Sequence, residues 1–390
     1  MMVRKHMERR GKRLLSHALG RVLGEGTATA GESSPDLRCA ASVLLIRQHN
    51  QLGDMLLSTP VFRAVRACAP NARIDLVAGP ENLEAVRGNA HLDEVLLFDK
   101  AALRSSPRRA LAFLRRLRSP AYEVAIVMNT VAFSVTAAWI AVLSGARQRV
   151  GRAGPGGLGA DMASGLFHHV LPAPTPGRHQ SDVNLDLVTP LGADGGDRRC
   201  EIFLTEQEAG KGRLSLDAAI GPGRAGSARV VLHPGAGKIP NRWSAARFGE
   251  VASALVRDGH RVVLAAGPGE EHLLHEAEAA AEGALPRLPS MGIRELAGSM
   301  AEADLIVAND TGVLHFAAAT RTSTLALFGP TDAAEWCPAD VGVEVLAAPG
   351  ADLDSLPVEA VRAAARRMAT AAASSRPGPA AEGIVREEPA

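Results

Sequence analysis

Apolar runs of strand length fall at residues 42–48, 73–79, 94–98 and 123–128, and segments with helical periodicity separate them near 55–68, 107–117 and 132–143. Runs that are apolar throughout read as strands buried on both faces, and strand–helix alternation is how a chain builds a parallel sheet clothed in helices. The pattern lapses and then begins again. Strands are expected at 229–233, 261–266, 305–309 and 324–328, with helices near 245–257, 270–282, 293–301 and 312–319. A chain of 390 residues also exceeds what one core usually organises. The expected fold class is α/β, with two Rossmann-like, doubly wound domains facing a central cleft.

The intervals between the two patterns give the expected boundaries. Residues 1–40 form a basic tail or amphipathic helix, 41–192 the first domain, 193–227 a Gly-rich linker, and 228–350 the second domain. A C-terminal helix spans 351–372, and the Pro/Gly/Ser-containing remainder, 373–390, reads as disordered.

Phe, Trp and Tyr make up only 3% of the chain, so Ala, Val and Leu must fill the cores. The net charge of +1 gives no global field for a polyanion, which argues against nucleic acid as a partner. Cys39, Cys68, Cys200 and Cys337 share no metal-ligand spacing and read as reduced thiols of a cytoplasmic protein. The apolar stretches are too short to span a bilayer, and no signal-peptide core precedes them. Residues 1–23 carry seven cations against Glu8, a local net charge of about +6, with Leu15, Leu19 and Val22 at helical spacing. That pattern fits peripheral contact with the anionic inner face of a membrane, and it fits a solvated tail equally.

Chemistry-bearing residues cluster just beyond strand ends, where ligands bind in open α/β sheets. The first loop runs from Arg47 to Asp54 and ends in Gly53-Asp54. Asp54 either caps the following helix or faces the ligand. The second is His233-Pro234-Gly235-Ala236-Gly237-Lys238 with Arg242, whose small residues and cations suit a diphosphate. It is not a Walker A loop, since Leu232 stands at the first glycine position and Ile239 follows the lysine. The third is Asn309-Asp310-Thr311-Gly312, opening a helix that carries His315. Its N–H groups would assist phosphate charge, while Asp310 either receives sugar hydroxyls or caps the helix. Glu270, after Gly267-Pro268-Gly269, either holds ribose hydroxyls or is a solvated first-turn acid.

Three further patterns read as decoys. Gly154-x-Gly156-x-x-Gly159 lacks an obvious strand before it and helix after it, His272 and His275, on a helix full of acidic residues with Glu276, lack a convincing third ligand, and Asp352-x-Asp354 lies outside the strand ends. No metal site is expected.

In order, Val43-Leu44-Leu45-Ile46-Arg47 … Leu52-Gly53-Asp54-Met55-Leu56-Leu57-Ser58-Thr59-Pro60, His233-Pro234-Gly235-Ala236 … Arg242-Trp243, Asn309-Asp310-Thr311-Gly312 … His315 and Leu327-Phe328-Gly329-Pro330-Thr331-Asp332 resemble the heptosyltransferases of glycosyltransferase family 9. The resemblance covers roughly residues 42–338. It implies a GT-B fold with an acceptor domain followed by a nucleotide-sugar domain. It also implies an inverting transfer of heptose from ADP-heptose, a substrate rather than a cofactor, to a glycolipid or oligosaccharide acceptor of the lipopolysaccharide core. Asp54 matches the family's general base. Of the expected donor-binding residues, His233, Pro234, Gly235, Arg242, Asp310, Thr311, Gly312 and His315 stand in the matched motifs, while Lys238 and Glu270 are expected from their own loops.

One position departs from the family. A lysine that contacts the donor phosphate usually precedes the Arg-Trp pair, and here Asn241 stands there, with Lys238 three residues earlier. Another nucleotide sugar or acceptor, a nucleotide-sugar epimerase, and a binding module without turnover therefore stay open as alternatives.

Overall fold

The computed structural model of the protein describes residues 34–49, 51–130, 132–154, 159–224, 226–340 and 342–375. The chain divides into two units between Phe203 and Leu204.

Unit one contains, in order, β1 (Ser42–Arg47), α1 (Leu52–Leu56), α2 (Thr59–Cys68), β2 (Arg73–Ala78), α3 (Leu83–Val86), β3 (Glu94–Leu97), α4 (Lys100–Ser105), α5 (Pro107–Arg118) and β4 (Val124–Val127). It continues through α6 (Val135–Ser144), β5 (Gln148–Arg152), α7 (Ala160–Leu166), β6 (His169–Leu171) and α8 (Gln180–Leu185). All six strands are parallel, in the order β3-β2-β1-β4-β5-β6. Val43, Leu44, Leu45 and Ile46 are apolar on both faces and fully buried, so β1 lies inside the sheet. The chain winds outward from β1 to β3 and then returns to the other side of β1 with β4. The loops after β1 and β4 therefore diverge and leave a crevice at the carboxyl ends of the strands.

The single helix expected over 55–68 is two. Pro60 has no N–H to give the Leu56 carbonyl, and the Thr59 hydroxyl takes that acceptor instead at 2.8 Å. The Ser58 hydroxyl similarly bonds the Asp54 carbonyl at 2.8 Å. The break ends α1 early and holds its short first turn at the crevice.

Unit two contains α9 (Glu206–Ile220), β7 (Arg229–His233), α10 (Ala245–Arg257), β8 (Arg261–Leu264), α11 (Glu271–Ala280), α12 (Ile293–Ala301), β9 (Leu305–Asn309) and α13 (Gly312–Ala319). It closes with β10 (Thr324–Phe328), α14 (Ala333–Trp336), β11 (Val343–Ala347) and α15 (Val358–Ser375). Its five strands are parallel, in the order β11-β10-β9-β7-β8, with the winding reversal between β7 and β9. Trp243, Phe248, Val251 and Leu255 form one core layer over the sheet with Val361, Ala365 and Ala369 of α15.

The stretch 193–227 is not a plain linker. It holds α9, whose start is fixed by a reciprocal capping box between Thr205 and Glu208. Gly212 is there because a Cβ would come within 2.3 Å of the Gly298 and Ser299 backbone on α12. A residue that reads as flexibility in sequence is a close helix contact in space.

The C-terminal helix runs from Val358 rather than 351, and 3-10 turns precede it. It also takes in residues 373–375 of the expected tail, where Ala373 is buried. The remainder of that tail, residues 1–33 with their basic stretch, and Gly156 of the glycine pattern lie outside the described residues. Among the described residues no helix is long and apolar enough to cross a membrane.

Candidate active site

In unit one the crevice between the ends of β1 and β4 holds a pocket of about 130 Å³ lined by Arg47, His49, Gln51, Asp54, Met128, Asn129, Thr130 and Ala132. Asp54 is the third residue of α1, whose cap position is Gln51, so its carboxylate lines the pocket instead of capping the helix. Nη2 of Arg47 stands 3.7 Å from Oδ2 of Asp54, with the two side chains 10% and 19% exposed. The guanidinium is held by the Met128 carbonyl at 2.7 Å and Oδ1 of Asn184 at 3.3 Å. Burial pulls the Arg47 pKa down and the Asp54 charge pulls it back. Guanidinium is basic enough to stay charged regardless.

Asparagines brace the loop. Asn82 is fully buried, accepts from the Gln51 N–H at 3.0 Å and donates to the His49 carbonyl. Asn184 donates to the Leu57 carbonyl at 3.1 Å, tying the α1–α2 break to the same Arg47. The His49 ring lies within 3.3 Å of Asn129, and burial, reinforced by the Arg47 charge, lowers its pKa. Its imidazole is therefore neutral near pH 7.

In unit two, two groups of side chains flank the carboxyl ends of β7 and β9. His233 is buried at the end of β7, and burial lowers its pKa against the pull of Glu270. Glu270 pairs with Arg242 at 3.3 Å and accepts from the Gly267 N–H at 3.1 Å. It also presses on Gly235, where a Cβ would meet its carboxylate at 2.0 Å. Arg242 Nε in turn donates to the Ala236 carbonyl at 2.6 Å. Glu270 is thus neither solvated nor loose: it locks the β7 and β8 loops together and requires glycine at 235.

The second group centres on Asp310. Its carboxylate accepts from Asn241 Nδ2 at 2.9 Å and from the Thr331 hydroxyl, and does not cap α13, whose cap residue is Thr311. Burial raises the Asp310 pKa, while the Thr331 hydrogen bond and the nearby Lys238 charge oppose the rise. Lys238 itself is exposed. Thr311 makes no side-chain cap bond, and while the Leu314 N–H bonds the Thr311 carbonyl at 3.1 Å, those of Gly312 and Val313 are placed to meet an anion. His315 is buried one turn into α13. Pro234 and Asn309 join the groups: Asn309 donates to the Pro234 carbonyl at 2.8 Å and accepts from the Trp243 N–H at 3.1 Å.

Among the described residues no three His, Cys, Asp or Glu side chains are grouped to hold a metal ion. Asp352 instead caps the turn at Asp354 by accepting its N–H.

Asn82, Asn129 and Asn184 were not singled out in the sequence, whereas Arg47 and His49 stood in the first loop, Asn309 in the third and Thr331 in the family pattern without a role of their own. Arg47 carries a signal of its own, as a cation that ends a fully buried strand. The asparagines hold partners 31 to 137 residues away, which no local pattern reveals.

Residues 110–352 match the family model for glycosyltransferase family 9 (heptosyltransferase), which is more than half of the chain. The chain belongs to that family. This family 9 glycosyltransferase is 27% identical to lipopolysaccharide heptosyltransferase 3 of Escherichia coli over 73% of its own length and 83% of that protein's. It is 25% identical to lipopolysaccharide heptosyltransferase 2 of Escherichia coli K12 over 74% and 83%. The fold is similar to that of the glycosyl transferase family 9 protein from Veillonella parvula, with a TM-score of 0.75, 18% identity and coverage of 87% and 99%. The E. coli heptosyltransferase WaaC with ADP gives 0.67, 20% and 84% and 100%. These likenesses show the GT-B fold of the family 9 chain. Asp54 lies before the matched residues, whereas all of the unit-two candidates lie within them.

Proposed function

We propose that this family 9 chain moves a heptose from ADP-heptose to a sugar of the lipopolysaccharide core, with inversion at the anomeric carbon and Asp54 as general base. The single observation that carries the chemistry is the Asp54 carboxylate, lining a pocket at the winding reversal of unit one with a fixed cation beside it. The names of the relatives support the sugar and the acceptor class, being lipopolysaccharide heptosyltransferases. The nucleotide reading is supported by related structures described with ADP and with ADP-2-deoxy-2-fluoro heptose.

In the reaction the acceptor oxygen forms a bond to the anomeric carbon as the bond from that carbon to the diphosphate oxygen breaks. Asp54 takes the acceptor proton, and the electron pair leaves with ADP. A carboxylate that is ionised at neutral pH can serve, since the proton is transferred as the acceptor oxygen loses it. Lys238 and the open N–H groups of α13 would neutralise the departing diphosphate. Asp310, with two of its acceptor directions filled by Asn241 and Thr331, would turn the remaining ones to sugar hydroxyls. No cofactor enters this scheme, and the nucleotide sugar is consumed as a substrate.

The test pairs ligand preference with turnover. ADP and ADP-heptose are expected to raise the melting temperature where UDP and GDP do not, and ADP release is expected only when a core oligosaccharide acceptor is present. Stabilisation by UDP or GDP alone would refute the donor. Conversion of the donor without acceptor would instead indicate an epimerase.

A further inference from the structure

Unit one carries a charged surface that the transfer chemistry does not use. Residues 100–118 hold seven cations and no Asp or Glu, in a chain whose net charge is only +1. This stretch folds into α4 and α5. The inner side of α5 is anchored by buried Leu117, with Phe113 and Leu114 packed against the same core. Glu94 on β3 engages Arg116, and Arg118 donates to the Leu143 carbonyl on α6 at 2.9 Å. Arg104, Arg108, Arg109 and Arg115 remain exposed and make no ion pair with another described residue.

A face built only for solvation would have no need of apolar side chains among those cations. Leu111 is nevertheless 49% exposed, three residues after Arg108 and four before Arg115, so it lies between them on one helix face. Leu143, beside Arg118, is 40% exposed. An exposed leucine flanked by two arginines, with a second beside Arg118, matches the boundary of a bilayer: the apolar groups enter beneath the headgroups, while the arginine stems extend along them and place their charges at the phosphates. Single-stranded nucleic acid would be met by cations interleaved with exposed aromatic rings, and Phe113, the aromatic residue of α5, packs against the core.

We propose that the outer face of α5, with the adjoining end of α6, lies on an anionic lipid surface. The inference stands apart from the identity of donor and acceptor, because it concerns where the protein rests and not what it transfers.

The test is co-sedimentation of the full chain with phosphatidylcholine vesicles, with and without phosphatidylglycerol. Wild-type protein is expected to bind only the anionic vesicles, and less so as salt is raised. A cation near such a surface contributes about fivefold to partitioning, so Arg108→Gln/Arg109→Gln/Arg115→Gln should weaken binding roughly a hundredfold. Leu111→Ser should weaken it independently of salt. Both variants should keep the wild-type melting temperature, since the exchanged side chains are exposed. Unchanged vesicle binding by the triple variant would overturn the proposal. So would loss of binding on replacing Arg9, Arg10, Lys12 and Arg13 while the triple variant still binds, or wild-type binding to duplex RNA in preference to the vesicles.

Discussion

Arg47 and Asp54 face each other across 3.7 Å at the carboxyl end of β1, and Arg47 is itself fixed to the end of β4 through the Met128 carbonyl. The pair links two loops that diverge from adjacent strands, so the position of the carboxylate is set by the sheet and not by the loop alone. Replacing Arg47 should therefore disturb both charge and placement.

The first prediction concerns pH. A cation within about 4–6 Å lowers a carboxylate pKa by roughly 1–3 units. Arg47→Gln takes away the charge that favours the ionised carboxylate of Asp54, so the acid limb of the kcat profile should move to higher pH, and kcat should fall. Arg47→Lys keeps the charge but loses the fork that holds Met128 and Asn184 with one nitrogen while facing Asp54 with the other, and should recover the limb more than the rate. His49 and Arg47 are the titratable groups facing Asp54 in the pocket, and His49→Gln in the same series separates their effects. An acid limb that stays in place in Arg47→Gln would show that the pair is not coupled.

A second prediction follows from Asn241. Its amide is 2.9 Å from the Asp310 carboxylate, so the phosphate cation expected at this position is replaced by a neutral brace. Lys238→Ala should weaken ADP binding by the roughly 1.5–3 kcal/mol of a charge-assisted hydrogen bond. Asn241→Lys in that background should restore a measurable part of it by calorimetry. Equal ADP affinity in Lys238→Ala would assign the phosphate to another group.

The clamp at the start of unit two makes a third. Arg294 is 2% exposed and bonds both oxygens of Glu208, at 2.7 and 2.9 Å, and this pairing holds the Glu208 pKa down at about 2 from an ordinary 4.5. A depressed carboxylate contributes stability that is fully present above its unfolded pKa and is lost as pH falls through its folded one. The contribution should therefore hold above about pH 4.5 and fade toward pH 2. Glu208→Ala removes both bonds to the buried guanidinium, together with the capping bond to the Thr205 N–H, and should cost about 3–5 kcal/mol at neutral pH, measured by denaturant unfolding. A smaller loss at pH 7 than at pH 3 would contradict the assignment.

Where residues announce their surroundings locally, the sequence was readable. β7, β9, β10, α10, α12 and α13 begin and end at the expected residues because their apolar runs and periodic faces meet clear boundaries. β5 escaped notice because it is polar at both ends and contains Gly151, whose missing Cβ makes room for the Phe167 ring, which a Cβ there would meet at 2.3 Å. The same kind of contact hid α9 behind Gly212. Asp54 and the unit-two loops were legible as residues that follow strands. Glu270 was legible in place but not in partner: its bond to Arg242 joins two loops 28 residues apart.

The most direct measurement is the turnover of Asp54→Asn alongside its affinity for ADP-heptose. Loss of a general base predicts a kcat lower by roughly 10²–10⁴-fold with donor binding unchanged, because the residues proposed to hold the donor lie in unit two. A kcat equal to that of the wild type would remove Asp54 from the chemistry and contradict the proposed mechanism.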